Sequence, residues 1–229
     1  MPRINQRHEI FEKNMEYANL AIDTVAQPVR NEQEFLDDQA QGMRAGVYEL
    51  LGRLLASEPD ESLLQLLRDI GDVDASDGRI GMGWGLMKQA SQKIEIDKLR
   101  DEYFTLFIGL GRGELVPFGS WYLTGFLMEK PVAALRTDLV RLGIERQDGV
   151  LESEDHIAAL CDVMAILIRS GQETGLNEQR VFFDTHIAPW AGRFCKDLQN
   201  AKAANFYRSV GFFGESFFEF EAQLLDMQS

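Results

Sequence analysis

Apolar residues recur at helical spacing along nearly the whole chain, and nowhere is there a run of strict alternation bounded by turn residues. A chain patterned this way can bury its apolar stripes only by packing helix on helix. Phe11, Met15, Ala18, Ile22 and Val25 lie on one such stripe, ended by Pro28, and this predicts an amphipathic N-terminal arm over residues 1–35. Residues 36–229 are expected to form a single compact multi-helix domain. Its first helix runs from Leu36 to about Ala56 with Ala40, Met43, Val47, Leu50, Leu51 and Leu54 inward. Pro59 is placed at the start of the next, through Ile70. Residues 71–85 hold five glycines and three aspartates and read as a surface loop. Helix is expected from Leu86 towards Phe107, near Trp121–Met128, and from Pro131 to Leu142. Four more helices complete the chain: 154–170, one capped by Asn177 to about Ile187, one opened by Pro189, and a last one over roughly 202–227. The fold class is therefore all-α.

The 229 residues suffice for one large core. A net charge of −14 excludes a phosphate-backbone partner, so no nucleic acid is expected. It suits a partner carrying positive charge, or simply keeps the protein dissolved. Cys161 and Cys195 belong to no CxxC and fall on apolar helical faces, which predicts free buried thiols in a reducing compartment. Arg3 and Arg7 are followed by no continuous apolar region. The longest apolar stretch, Ile157 to Ile168, is broken by Asp162 and too short to span a bilayer. The expectation is a soluble cytoplasmic protein with no stable membrane insertion.

The densest local signal is Glu152-Ser153-Glu154-Asp155-His156, three carboxylates and one of only three histidines, just ahead of the stripe Ile157, Leu160, Cys161, Met164 and Ile168. Two readings stand side by side. Ser153 can cap a helix whose dipole favours acidic side chains in its first turn. The same five residues can also form an acidic mouth that receives a cation.

Templates for bond-making chemistry fail one by one. Gly109-Leu-Gly-Arg-Gly113 lacks the third glycine of a dinucleotide fingerprint, since position 114 is Glu, and no Gly-Lys-Ser/Thr ending follows. Glu152 and His156 could share a helical face, yet no second Glu-x-x-His exists, so neither metal nor cofactor is expected. Ser120 sits in Phe-Gly-Ser-Trp rather than a nucleophile elbow, and no catalytic residue is assigned. What remains is a binding surface. Tyr103, Phe104, Leu106 and Phe107 end one helix, and Pro117, Phe118, Ser120, Trp121, Tyr122 and Leu123 follow a short loop. Leu106, Phe107 and Leu123 read as core, whereas Pro117, Phe118 and Tyr122 read as a pocket wall.

These residues resemble the TorD/DmsD family of helical chaperones that mature twin-arginine-exported molybdoenzymes. The family's Leu-Phe-x-Gly after an aromatic is matched by Tyr103, Leu106, Phe107 and Gly109. Its proline loop and aromatic-Gly-Ser-x-aromatic close are matched by Pro117, Phe118, Gly119, Ser120 and Tyr122. Its Glu-Pro-x-Asp-His is matched by residues 152–156, with Ser153 in place of the proline. His186, Pro189 and Trp190, with Phe206-Tyr207 later, match a third signature. Leu110 and Val116 stand where prolines are common, and the arm falls outside the match.

The resemblance implies a cytoplasmic, non-enzymatic chaperone that binds the twin-arginine signal peptide of a molybdoenzyme precursor and assists its maturation before export. It implies a signal-peptide site at Tyr103, Pro117, Phe118, Ser120, Tyr122, Asp155 and His156, with Asp155 and Glu154 receiving arginines. His156 would orient Asp155, or gain charge at mildly acidic pH and weaken the binding. Partners would be the precursor itself and, through helix exchange, a second copy in a homodimer. The alternative is a helical assembly factor for a cytoplasmic redox-enzyme subunit without a twin-arginine signal.

Overall fold

The computed structural model describes residues 32–69, 71, 78–146, 152–171 and 175–227, with side chains from residue 38 onwards. The stripe expected over Phe11–Val25 lies outside them. Packing divides the chain into two units, Met1–Ala40 and Gln41–Ser229, and the second holds the helical core. Ten α-helices occur among the described residues. They are α1 (Glu32–Ala56), α2 (Glu61–Arg68), α3 (Gly78–Lys93), α4 (Ile96–Tyr103), α5 (Gly119–Thr124) and α6 (Lys130–Arg141), then α7 (Ile157–Arg169), α8 (Gly175–His186), α9 (Ala191–Asn200) and α10 (Phe206–Met227). One turn of π-helix, Phe104–Ile108, extends α4. The only β-type pairing among the described residues is an isolated bridge between Phe118 and His156. The all-helical expectation holds.

The C-terminal helix α10 is the hub. Phe206, Tyr207, Val210, Phe213 and Phe217 are buried along it, and it packs against α3, α4, α8 and α9. A buried polar knot ties α10 to α1 and α8. Arg44 donates two hydrogen bonds to the Glu221 carboxylate at 2.8 and 2.7 Å, Tyr48 donates a third at 3.1 Å, and Gln179 accepts from Arg44. The fork of a guanidinium matches both carboxylate oxygens, which satisfies charges that would otherwise be costly to bury. Cys161 and Cys195 are both free and buried, and burial pushes their thiols up.

The structure moves several boundaries. The glycine-rich stretch expected as a loop over 71–85 is helical from Gly78, because its glycines serve packing as well as turning. A Cβ at Gly83 would stand 3.0 Å from the Phe213 Cα, so only glycine lets α3 and α10 approach this closely. Helix α2 is capped by Asp60 rather than opened by Pro59, and the Asp60 carboxylate accepts from the Leu63 amide at 2.7 Å. Asn177 lies inside α8, which starts at Gly175. Helix α5 spans Gly119–Thr124 rather than 121–128, since Gly125 turns left-handed behind it. Helix α10 begins at Phe206, not 202. Two carboxylates hold the preceding turn open: Glu114 accepts from the amides of Lys202 and Ala203, and Glu102 from those of Asn205, Phe206 and Tyr207. Glu114, which broke the dinucleotide pattern, thus has a structural task. Among the described residues no helix is long and apolar enough to cross a membrane.

Candidate functional site

The acidic segment is not the first turn of a helix. Residues 154–155 form a turn, and α7 begins at Ile157 with His156 as its N-cap. His156 Nδ1 accepts from the Ala158 amide at 3.2 Å, so the imidazole does what Ser153 was expected to do. Ser153 Oγ is buried without a partner. Being an acceptor at Nδ1, His156 is neutral. Burial lowers its pKa to about 4 against the upward pull of Asp155, so it does not charge at mildly acidic pH as the sequence suggested.

The loop before α5 is stitched to this turn. Pro117 accepts from the Ile157 amide at 2.9 Å, and the Asp155 carbonyl accepts from the Gly119 amide at 2.9 Å. The Phe118 and His156 rings meet edge to face at 4.9 Å. Asp155 Oδ2 accepts from the Ser120 amide at 2.7 Å, a long-range carboxylate cap for α5, whose own N-cap Phe118 offers no side-chain bond. Ser120 Oγ in turn accepts from the Met128 amide at 3.2 Å. Pro117, Phe118, Ser120, Asp155 and His156 are therefore one cluster.

Of the other two residues of the expected site, Tyr122 touches the cluster through its backbone, its amide donating to the Phe118 carbonyl at 3.2 Å, and its side chain points to other partners; Tyr103 is placed elsewhere. Tyr122 stacks on Trp190 at 5.4 Å, donates to Asp197 at 3.0 Å and accepts at its carbonyl from Arg193. Burial and the Asp197 bond raise its phenol. Tyr103 is buried against Phe107 and Tyr207, its hydroxyl 3.4 Å from the Leu55 carbonyl, and burial raises it to about 12.

The second oxygen of Asp155, Oδ1, is buried and has no hydrogen-bond partner in the protein. Asp155 lines a cleft of about 70 Å³ together with Gly119, Leu123, Pro131, His186 and Trp190. Neighbouring groups are fixed. Trp190 Nε1 donates to the His186 carbonyl at 2.7 Å, and His186 Nε2 lies 2.8 Å from Asp138, which holds the Asp138 carboxyl below its ordinary range.

Beside the turn opens a wider groove of about 290 Å³. Its floor is apolar, with Leu139, Ile144, Val163 and Ile166, and Glu145, Glu152, Glu154 and Asp162 line it with a single cation, Arg146. Glu154 is already engaged. Arg136 grips it with two hydrogen bonds at 3.1 and 2.9 Å, and this pairing lowers its carboxyl. Glu145 and Glu152 carry no ion pair with any described residue. Burial raises the carboxyl of Asp162.

Sequence reasoning missed the groove lined by Glu145, and it missed the exposure of the run that follows α5. Leu123, read as core, is 43 % exposed, and Phe126, Leu127 and Met128 beyond it are at least half exposed. Gly125, which ends α5 just before this run, was the only hint. Leu106 is core as expected. Among the described residues no group of three or more His, Cys, Asp or Glu could hold a metal ion.

The described residues form an all-helical body with a stitched acidic turn flanked by two clefts. The model of the nitrate reductase delta subunit family matches residues 74–196, more than half of the chain, and the chain belongs to this family, within which its relatives are TorD chaperones. It is 21% identical over 188 residues to the chaperone protein TorD of Vibrio parahaemolyticus, covering 73% of this chain and 87% of that one. It is 25% identical over 138 residues to TorD of Vibrio cholerae, covering 56% of this chain and 63% of the relative. Among solved structures, a putative redox enzyme maturation protein from Archaeoglobus fulgidus shares the fold. The TM-score is 0.50 at 18% identity, over 77% of this chain and 94% of that one.

Proposed function

We propose that the chain is a chaperone for redox-enzyme maturation that binds, in the cytoplasm, the twin-arginine signal peptide of a molybdoenzyme precursor. The carrying observation is the groove at residues 144–166, where Glu145 and Glu152, with no ion pair to any described residue, stand over an apolar floor, while the buried free oxygen of Asp155, on the same turn, belongs to the separate cleft of about 70 Å³. A signal peptide of this kind has a cationic head and an apolar stretch, and the groove has the complementary order of charge and apolar surface. Guanidinium groups pair with Glu145, Glu152 and Asp155 Oδ1. Glu154 is left out because Arg136 occupies it. Pro117, Phe118, Ser120 and His156 act from behind by fixing the turn that carries Asp155. Tyr103 and Tyr122 support the surrounding core. Relatives named as TorD chaperones support the same reading and support a protein that is not an enzyme.

Calorimetric titration with a twin-arginine peptide tests it. A charge-assisted hydrogen bond contributes roughly 1.5–3 kcal/mol, so Asp155→Asn is expected to weaken binding by about one to two decades. The Asn oxygen can still cap Ser120. Equal affinity for a peptide whose two arginines are alanine would sink the proposal. The family description, which names a nitrate reductase subunit, favours a second reading: an assembly factor for a cytoplasmic redox subunit. Binding to a client lacking any signal peptide, with no response to the isolated peptide, would favour that one.

A further inference from the structure

Away from the acidic turn, between α3 and α10, runs a cleft of about 480 Å³. Its apolar surface comes from Leu86 and Ala90 on α3 and from Phe206 and Phe212 on α10. Leu86, Ala90 and Lys93 recur at i, i+4 and i+7, and Arg208 and Phe212 at i and i+4, so each helix presents one continuous face. The helices run antiparallel: Gly83 meets Phe213 at one end, and Ile94 and Phe206 share the cleft at the other.

The charge of this cleft is opposite to that of the chain. The sequence holds 37 acidic and 23 basic residues, yet no carboxylate lines the cleft and two cations do, Lys93 and Arg208. Neither forms an ion pair with a described residue, and Arg208 donates only to the Ala204 carbonyl of its own preceding turn. Leu86 is 41 % exposed, and Met82, one turn earlier, is also exposed. Solubility does not require a basic, apolar trough on an acidic protein.

We propose that this cleft is a second docking groove, which takes an apolar, acidic helical segment of a partner protein. A cleft walled by two helix faces, with Gln199 of α9 at one side, suits an amphipathic helix whose apolar anchors recur at i, i+3 or i+4 and i+7. Lys93 and Arg208 select for flanking carboxylates and against cations. The groove therefore reads the opposite charge from the one at Glu145 and Glu152. It does not depend on that site binding a twin-arginine peptide.

Two fluorescein-labelled helical peptides with identical leucine anchors, one flanked by glutamates and one by lysines, test this by fluorescence anisotropy on the full chain. The glutamate peptide is expected to bind about tenfold tighter or better. The double variant Lys93→Glu/Arg208→Glu should reverse that order, and Leu86→Glu should remove binding of both peptides. Both carry exposed changes, and unchanged circular dichroism melting confirms that the fold persists. Equal binding of the two peptides overturns the proposal, as does a preference untouched by the charge swap. Self-association dissolved by Leu86→Glu would also overturn it, by assigning the groove to a second copy.

Discussion

At the scale of single residues, the acidic turn divides its labour in a way that burial dictates. Asp155 splits its carboxylate between a cap for α5 and an unpartnered oxygen, and Glu154 is taken up by Arg136. His156 is a neutral cap, and this has a pH signature. Its folded pKa of about 4 lies below the ordinary 6.5, so the unfolded chain binds the proton more tightly. The contribution to stability is complete above pH 6.5 and is lost as pH falls towards about 4. Its size is on the order of 3 kcal/mol. Urea unfolding across this range should show stability rising with pH, and His156→Gln should flatten that rise. An identical slope in the variant would exclude His156 as its source.

At the scale of helices, close approach decides which glycines matter. A Cβ at Gly211 in α10 would lie 2.8 Å from the Cys195 carbonyl oxygen and 3.1 Å from the Gln199 amide nitrogen in α9. Backbone cannot rotate aside as a side chain can. Gly211→Ala is therefore expected to destabilise by ~1–3 kcal/mol, more than the gain of up to ~1 kcal/mol from helix propensity. Gly85→Ala in α3 meets nothing within 4 Å and should instead stabilise by roughly 0.5–1 kcal/mol. Thermal melts of the two variants should move in opposite directions. Shifts of the same sign would mean that α9 and α10 can separate without cost.

At the scale of the whole molecule, a net charge of −14 creates a field that draws in a cationic peptide. Association of a twin-arginine peptide should slow on the order of tenfold as ionic strength rises from about 0.01 to 1 M, while dissociation changes less. Stopped-flow fluorescence measures both rates. An on-rate indifferent to salt would leave the acidic field without a part in recognition.

The sequence alone determined the all-helical class and the free buried thiols, while the meeting of Pro117, Phe118 and Ser120 with Asp155 and His156 was expected only from the family resemblance and is made by contacts some 35 positions apart. Helical period, composition and local motif are properties of neighbours along the chain, and the first two outcomes follow from such neighbours. Only tertiary structure decided the rest. That α7 begins only at Ile157, whose amide donates to the Pro117 carbonyl, that Glu154 belongs to Arg136 and that Glu102 and Glu114 hold the turn before α10 all depend on partners from 18 to more than 100 positions away. The glycines of 78–85 look like loop until Phe213 arrives against Gly83, because a missing side chain reads the same in a turn and in a tight helix crossing. Leu123 looks like core because apolar character marks what can be buried, and the chain's path decides what is.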